Sequence, residues 1–223
     1  DLWVGTFSGG ILEVSSIIES NSPERPPFED FISFQIDYLG LGNFSMNWSK
    51  CEKFSNGYNF VFNNKDPMDY YFHGTAVASV IAGRGDWNKN GVIEENEGFN
   101  GVAPDAKIVP YVIYAFDIPP FISDLIQAID LSVDPNQDND FSDHLDIVSL
   151  SAGLPCSLFG GYSDECGPDD ILSQTVDNAI GLGSVFVIAG GNSGSEEYAI
   201  ASPGTARKAI TVGASNKEDQ IVS

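Results

Sequence analysis

Short apolar segments alternate with amphipathic segments from residue 57 to the end of the chain. The run Val185–Ala189 is continuous and stops at a glycine pair, which is typical of a strand buried on both faces of a parallel sheet. Apolar residues at helical spacing predict helices over 121–131 (Ile122, Leu125, Ile126, Ile129) and 171–182 (Leu172, Val176, Ala179, Ile180). Further strands are predicted within 57–69, 101–114, 146–151 and 209–212. This alternation predicts an α/β fold, with a parallel sheet between helices in three layers.

The first 31 residues are less regular than the rest. Residues 1–10 are compatible with a short strand, and residues 21–27 form a Ser/Pro-rich connector. Residues 31–38 are predicted to form a strand that leaves into a glycine-containing loop. We therefore divide the chain into residues 1–31, whose sequence says little about structure or function, and a main domain over residues 32–223.

His73 precedes a segment of small and β-branched residues at helical spacing. Gly74 and Thr75 suit a turn that enters a helix, and the apolar residues that follow (Ala76, Val77, Val80, Ile81) predict its buried face. At a helix N-terminus the helix dipole disfavours the imidazolium, so the ring stays in the neutral form that a general base needs. The alternative is a histidine that only caps a buried helix.

Composition narrows the possible partners. The chain has 223 residues and a formal net charge of −22, from 10 Lys and Arg against 32 Asp and Glu. This negative charge argues against binding to nucleic acid or to anionic membrane surfaces. The sequence contains no run of eighteen apolar residues, so no membrane-spanning segment is predicted. Cys156 and Cys166 are spaced to close a short disulfide, which would indicate an oxidising compartment, and Cys51 is left over.

An acidic loop directly after the predicted His73 helix has the pattern of an EF-hand-type calcium loop. Gly91 occupies loop position 6, where the sharp turn requires glycine, and Glu97 occupies position 12, where it would bind with both oxygens. The remaining predicted ligands are Asp86, Asn88, Asn90 and the carbonyl of Val92. The alternative is a solvated acidic insertion.

A second acidic loop covers residues 134–143. Its alternating carboxylates and amides (Asp134, Asn136, Asp138, Asp140) suggest another Ca²⁺ site. It lacks the central glycine and the distal glutamate, so a simple solvated turn is an equal alternative. His144, next to this loop, is interpreted as structural.

Four segments in order resemble the subtilisin-like serine proteases (subtilases), and the approach to His73 is similar to that of the larger, pyrolysin-like members. They are the histidine block 73–83, the cleft-strand block 146–153, the oxyanion-asparagine block 187–194 and the block 202–214. Together they cover about residues 57 to 223. The resemblance implies a subtilisin-like fold, of which this sequence holds only part.

The resemblance also implies roles for individual residues. His73 would be the general base, and the Asn192 amide would donate a hydrogen bond to the oxyanion. Ser151, Ala152 and Gly153 would pair with an extended substrate, although close packing against a neighbour also explains small residues there. Ala189 and Gly190 would form part of a specificity pocket for a sizeable apolar side chain. Without the resemblance, Asn192 is better explained as a turn residue.

Two expected catalytic elements are not found in their usual motifs. The family carries its orienting aspartate in Asp-Thr/Ser-Gly, which this sequence lacks; alignment of Ile36-Asp37-Tyr38 with the family places Ser33 there. Asp37 is the nearest carboxylate and would substitute, unless it caps a loop or binds calcium. The family's Gly-Thr-Ser nucleophile block is also absent, so the serine is expected in a remainder of the catalytic domain.

The sequence thus predicts the amino-terminal part of the catalytic domain of a secreted, calcium-stabilised serine endopeptidase. It would act on extended polypeptides, outside the cell or in the cell envelope. The alternative is a catalytically inactive subtilase-like module that binds peptides or calcium. If the protein is an endopeptidase, this chain alone is expected to be inactive, because acyl-enzyme chemistry requires the nucleophile.

Overall fold

A computed structural model describes residues 3–7, 32–35, 43–46, 57–69, 71, 73–83, 100–115, 121–163, 165–195 and 197–216. The strands are β1 (Trp3–Phe7), β2 (Ile32–Gln35), β3 (Asn43–Met46), β4 (Tyr58–Asn59), β5 (Lys107–Val112), β6 (Ile147–Leu150), β7 (Leu154–Pro155), β8 (Val185–Ala189), β9 (Ala201–Ser202) and β10 (Ile210–Val212). The α-helices are α1 (His73–Ala82), α2 (Ile122–Val133) and α3 (Ile171–Gly181).

Six strands form one parallel sheet in the order β10-β8-β6-β1-β5-β4. Every neighbouring pair in it is parallel, so the carboxyl ends of all six strands lie along one edge. The predicted α/β architecture is confirmed. The other described strands pair in twos and antiparallel, β2 with β3 and β7 with β9.

Helices cover both faces of this sheet. Successive side chains of β5 and β6 point to opposite faces, as the strand geometry requires. Val109, Tyr111 and Val148 pack into the larger core with α2 and α3. Ile108 and Ile147 contribute to a smaller core with α1. The three layers are therefore α1, the sheet, and α2 with α3.

The central strand comes from the amino-terminal segment to which the sequence pattern assigned no function. Strand β1 pairs with β5 from Trp3↔Lys107 onward and with β6 from Val4↔Ile147 onward. Its sequence, Trp-Val-Gly-Thr-Phe, is mostly apolar, which suits a strand in the middle of a parallel sheet. By contrast, β2 alternates apolar and polar residues, which is typical of an antiparallel pair, and it lies in the hairpin with β3.

Helix α1 buries a different face from the predicted one. Its buried residues are Gly74, Ala78 and Ala82, whereas Val80 is 56% exposed. Ala76 is also exposed, and Val77 and Ile81 are half-buried. The prediction that Ala76, Val77, Val80 and Ile81 form the buried face is therefore wrong. The smallest residues face inward because α1 lies close against β1 and β5, where a larger side chain would hold it away.

Helices α2 and α3 agree with their predictions. Leu125 and Ile129 are buried on α2, although Ile122 at its start is 41% exposed. Leu172, Val176 and Ala179 are buried on α3. This helix is capped by Asp170, whose side chain accepts a hydrogen bond from the Ser173 backbone N–H at 2.8 Å.

Candidate functional site

The histidine helix begins at the carboxyl edge of the sheet. Its far end is fixed near the start of β5, because the backbone N–H groups of Gly101 and Ala103 donate to the carbonyls of Gly83 (2.8 Å) and Ile81 (2.7 Å). Before the helix, the Tyr71 ring stacks edge-on against Tyr114, just after β5, with centroids 4.9 Å apart. His73, the first residue of α1, therefore lies beyond the carboxyl end of β5.

The turn before α1 is held by a buried carboxylate that sequence reasoning missed. Asp69 is 1% exposed, and its Oδ2 accepts hydrogen bonds from the Thr75 backbone N–H (2.9 Å) and the Thr75 hydroxyl (2.6 Å). Its Oδ1 accepts from the Tyr71 backbone N–H at 2.8 Å. The only sequence signal is a carboxylate six residues before a helix-start threonine, which is no standard capping pattern.

The surroundings of Tyr114, at this edge of the sheet, favour its neutral phenol. Burial, followed by the neighbouring Tyr71 and the Asp69 carboxylate, raises the pKa of Tyr114 to about 12. His73 itself is exposed, and no described residue makes a hydrogen bond to its imidazole. The ring is thus accessible to a substrate or to a group from elsewhere in the protein.

Asn192 follows the neighbouring pair of strands at the same edge. Strand β8 ends at Ala189, and the Gly190 N–H donates to the Val212 carbonyl at 2.8 Å, while its carbonyl accepts from the Ala201 N–H at 2.9 Å. Gly191 has φ +104°, and a Cβ there would lie 3.1 Å from the Ala201 Cβ. The glycine pair therefore lets the chain turn tightly, and Asn192 directly after it is exposed.

The small residues after β6 lie beside this turn. Leu150 pairs with Ile188, so Ser151 continues next to the end of β8. A Cβ on Gly153 would lie 2.9 Å from the Ser202 carbonyl oxygen, since β7 pairs with β9 directly after it. The structure supports close packing as the reason for glycine at 153, and substrate pairing by 151–153 stays a prediction.

Comparison with known proteins identifies the family to which this chain belongs. A model described as "Subtilase family" matches residues 16–223. The chain belongs to the subtilase family. It is 31% identical over 159 residues to the serine protease AprX of Bacillus subtilis (strain 168), a match that covers 71% of this chain and 33% of the relative. It is also 31% identical over 167 residues to the minor extracellular protease Vpr of that organism, covering 71% and 17%.

A solved structure of a cold-adapted subtilisin-like serine proteinase shares this subtilase fold. The TM-score is 0.60 at 21% identity, and the match covers all of this chain and 57% of that one. The chain thus spans about a third or less of the two curated relatives and little more than half of the solved one. The recognition of the family from four ordered blocks is confirmed.

Several predicted subtilase residues lie where the fold brings them together. His73, Ser151, Ala152, Ala189 and Gly190 all lie at or just beyond the carboxyl edge of the sheet, together with Gly153 and Asn192. Asp37 and the whole loop 86–97, including Asp86, Asn88, Asn90, Val92 and Glu97, lie outside the described residues. Ser33 lies in β2, opposite Ser45.

The alignment in the sequence analysis places the family's aspartate position in β2. This strand pairs with β3 and is not part of the six-stranded sheet. The central position between β5 and β6 is occupied by β1, which ends at Phe7 opposite Tyr111 and Leu150. The sequence continues Ser8-Gly9-Gly10, with no carboxylate before Glu13. The five residues that follow β1 in the sequence therefore offer no carboxylate.

The second acidic loop is held by its own backbone. The Asp138 and Asn139 N–H groups donate to the two Asp134 oxygens at 3.1 and 3.0 Å, and the Asp140 N–H donates to Asp138 Oδ1 at 2.8 Å. The Ser142 N–H, bonded to Asp140, holds the pKa of that carboxyl below its usual range. Among the described residues, no three His, Cys, Asp or Glu side chains are grouped closely enough to hold a metal.

The predicted disulfide is present. Cys156 and Cys166 are bonded and both are fully buried. The bridge closes a loop that begins directly after β7, and Tyr162 of this loop stacks edge-on against Tyr198 with centroids 4.9 Å apart. The loop is thereby fastened to the segment that follows Asn192.

No helix in the described part of the chain has the length and apolar character to cross a membrane.

Proposed function

We propose that this chain is the amino-terminal part of the catalytic domain of a serine endopeptidase that cleaves extended polypeptides outside the cell. His73 acts as the general base and Asn192 donates to the oxyanion. The observation that supports the proposal is that His73, residues 151–153 and the Gly190–Asn192 turn all lie at the carboxyl edge of one parallel sheet. Its relatives include a serine protease and an extracellular protease, which supports peptide hydrolysis and an exported location.

The chemistry assigned to these residues is acyl transfer. A neutral imidazole at His73 would take the proton from a serine hydroxyl as that oxygen attacks the peptide carbonyl. The Asn192 amide would donate to the oxygen that becomes negative, and loss of one such donor lowers kcat about 10²- to 10³-fold. The serine and the group that orients His73 belong to parts of the protein beyond the described residues, with Asp37 as the candidate acid.

The test is labelling of the full-length gene product with a fluorophosphonate probe, which reacts with activated serines. We expect labelling in the wild type, its loss in His73→Ala and a large decrease in Asn192→Ala. His144→Gln is the matched control, because His144 lies beside the second acidic loop and contacts the Leu145 carbonyl instead of the edge. A wild type with the serine present but no labelling would favour the inactive peptide-binding module.

Calcium binding is a separate part of the proposal. Gly83 and Gly101, which flank residues 84–99 in the sequence, are joined by a hydrogen bond. An ion held by Asp86, Asn88, Asn90, Val92 and Glu97 would therefore stabilise the far end of the histidine helix. The loop with Asp134, Asn136, Asp138 and Asp140 supplies oxygens as well, although backbone N–H groups already use several of them. The first loop is the better candidate.

Calcium titration by calorimetry separates the two loops. We expect Asp86→Ala with Glu97→Gln to weaken binding at least tenfold, and Asp134→Asn with Asp138→Asn to remove a second, weaker event if that loop binds. Asp66→Asn is the control, because Asp66 is an exposed carboxylate outside both loops. Equal affinity in the first double variant and the wild type would remove the assignment to residues 86–97.

A further inference from the structure

Asp69 is a buried carboxylate without a role in the mechanism above. It is four residues before His73 and 1% exposed. A buried carboxylate is costly unless hydrogen bonds compensate for the lost water. The contacts that compensate for it therefore indicate what this side chain does.

Those contacts lie on both sides of His73. Oδ1 accepts the Tyr71 N–H at 2.8 Å, and Oδ2 accepts the N–H and the hydroxyl of Thr75 at 2.9 and 2.6 Å. Thr75 is the third residue of α1, so its N–H has no acceptor within the helix. One side chain thus fixes the backbone two residues before and two residues after the histidine.

We propose that Asp69 is the positioning residue of the general base: its carboxylate fixes the first turn of α1 and thereby the direction in which His73 leaves the helix. The proposal rests on the proposed function of His73. No described residue bonds to the imidazole, so within the described structure the backbone alone determines where the ring starts. The bonds to Asp69 are the constraint that the structure shows on that backbone.

The charge of Asp69 has a second effect on the same site. A carboxylate near a helix N-terminus opposes the positive end of the helix dipole, and an anion nearby favours the imidazolium that forms during catalysis. Its field reaches the cleft side of the turn, because it contributes to the raised pKa of Tyr114. Removal of the charge is therefore expected to weaken the stabilisation of that imidazolium in the transition state.

The experiment compares the histidine Cε1–H signals of the variants in NMR spectra of this chain at one pH. The chain has two histidines, so His144 serves as an internal reference for the fold. We expect Asp69→Asn to shift and broaden the His73 signal, because the backbone on both sides of this residue is then no longer fixed, and to leave the His144 signal unchanged. Asp66→Asn is the matched control: it removes an exposed carboxylate of the same turn that accepts only the Met68 N–H among the contacts described here.

Thr75 variants keep the proposal testable if Asp69→Asn fails to fold. Thr75→Val removes the hydroxyl bond to Asp69, whereas Thr75→Ser retains it. We expect about tenfold faster amide hydrogen exchange at residues 71–75 in Thr75→Val and wild-type exchange in Thr75→Ser. An unchanged His73 signal in folded Asp69→Asn, or equal exchange in the two Thr75 variants, would overturn the positioning role.

A kinetic measurement on the full-length product separates this proposal from the proposed function. We expect Asp69→Asn to lower kcat about tenfold with KM unchanged, because the variant alters the base and not the peptide-binding strands. If the wild-type product shows no hydrolase activity, the proposed function fails, and the NMR result still decides whether Asp69 positions His73. If activity is present and Asp69→Asn changes only KM, the positioning role fails alone.

Discussion

The bridge between Cys156 and Cys166 gives a prediction whose size follows from its loop length. The two cysteines are ten positions apart, and closing a loop of that length removes about 9 cal/mol/K of entropy from the unfolded chain, or about 2.7 kcal/mol at 25 °C. Reduction of the bridge should lower the free energy of unfolding by about this amount. For a chain of this size the melting temperature should fall by about 5 to 10 °C.

Thermal unfolding followed by circular dichroism, with and without reductant, measures this change. The variant with both Cys156→Ala and Cys166→Ala should melt near the reduced wild type and should not respond to reductant. Cys51→Ser removes the third cysteine and should leave the response of the wild type intact. A double variant within about 1 kcal/mol of the oxidised wild type, or one that reductant destabilises further, would contradict the loop-entropy reasoning.

Two further predictions concern the carboxyl edge. Folding raises the pKa of Tyr114 from 10.0 to about 12, so the stabilisation from its neutral phenol is complete below pH 10 and is lost as the pH rises to 12. Tyr114→Phe should therefore flatten the fall in the free energy of unfolding between pH 10 and pH 12. Denaturant unfolding at each pH measures this change. Gly191→Ala forces a side chain into φ +104° and should cost about 1 to 3 kcal/mol, whereas Gly213→Ala, with no atom near its Cβ position, should cost less than about 1 kcal/mol.

The elements that the sequence predicts best are those with one dominant signal. Val185–Ala189 was predicted with the observed bounds, because a continuous apolar run followed by Gly-Gly leaves few alternatives. Helix α3 was predicted within one residue at its end, since its apolar residues follow a regular helical spacing. The four blocks that resemble subtilases were sufficient to identify the family.

The failures have a common physical cause. Burial on α1 depends on how closely the helix approaches the sheet, so Gly74, Ala78 and Ala82 face inward although larger apolar residues were available. The importance of Asp69 comes from contacts with a turn and a helix start that share no local pattern. The position of β1 depends on partners elsewhere in the chain, which no local window contains.

The place of β1 has a consequence for how the protein reaches its native state. Its two partner strands begin more than a hundred residues later in the chain, at Lys107 and Ile147. During synthesis, the middle of the sheet therefore cannot close until β6 has left the ribosome. Proteins dominated by such distant pairings fold slowly, because the entropy of closing a long loop is lost before the contacts form. Throughout that delay the apolar strand β1 is without its partners. Substitutions at residues 3–7 should therefore change the chaperone dependence and aggregation of this chain more than the same number of substitutions elsewhere.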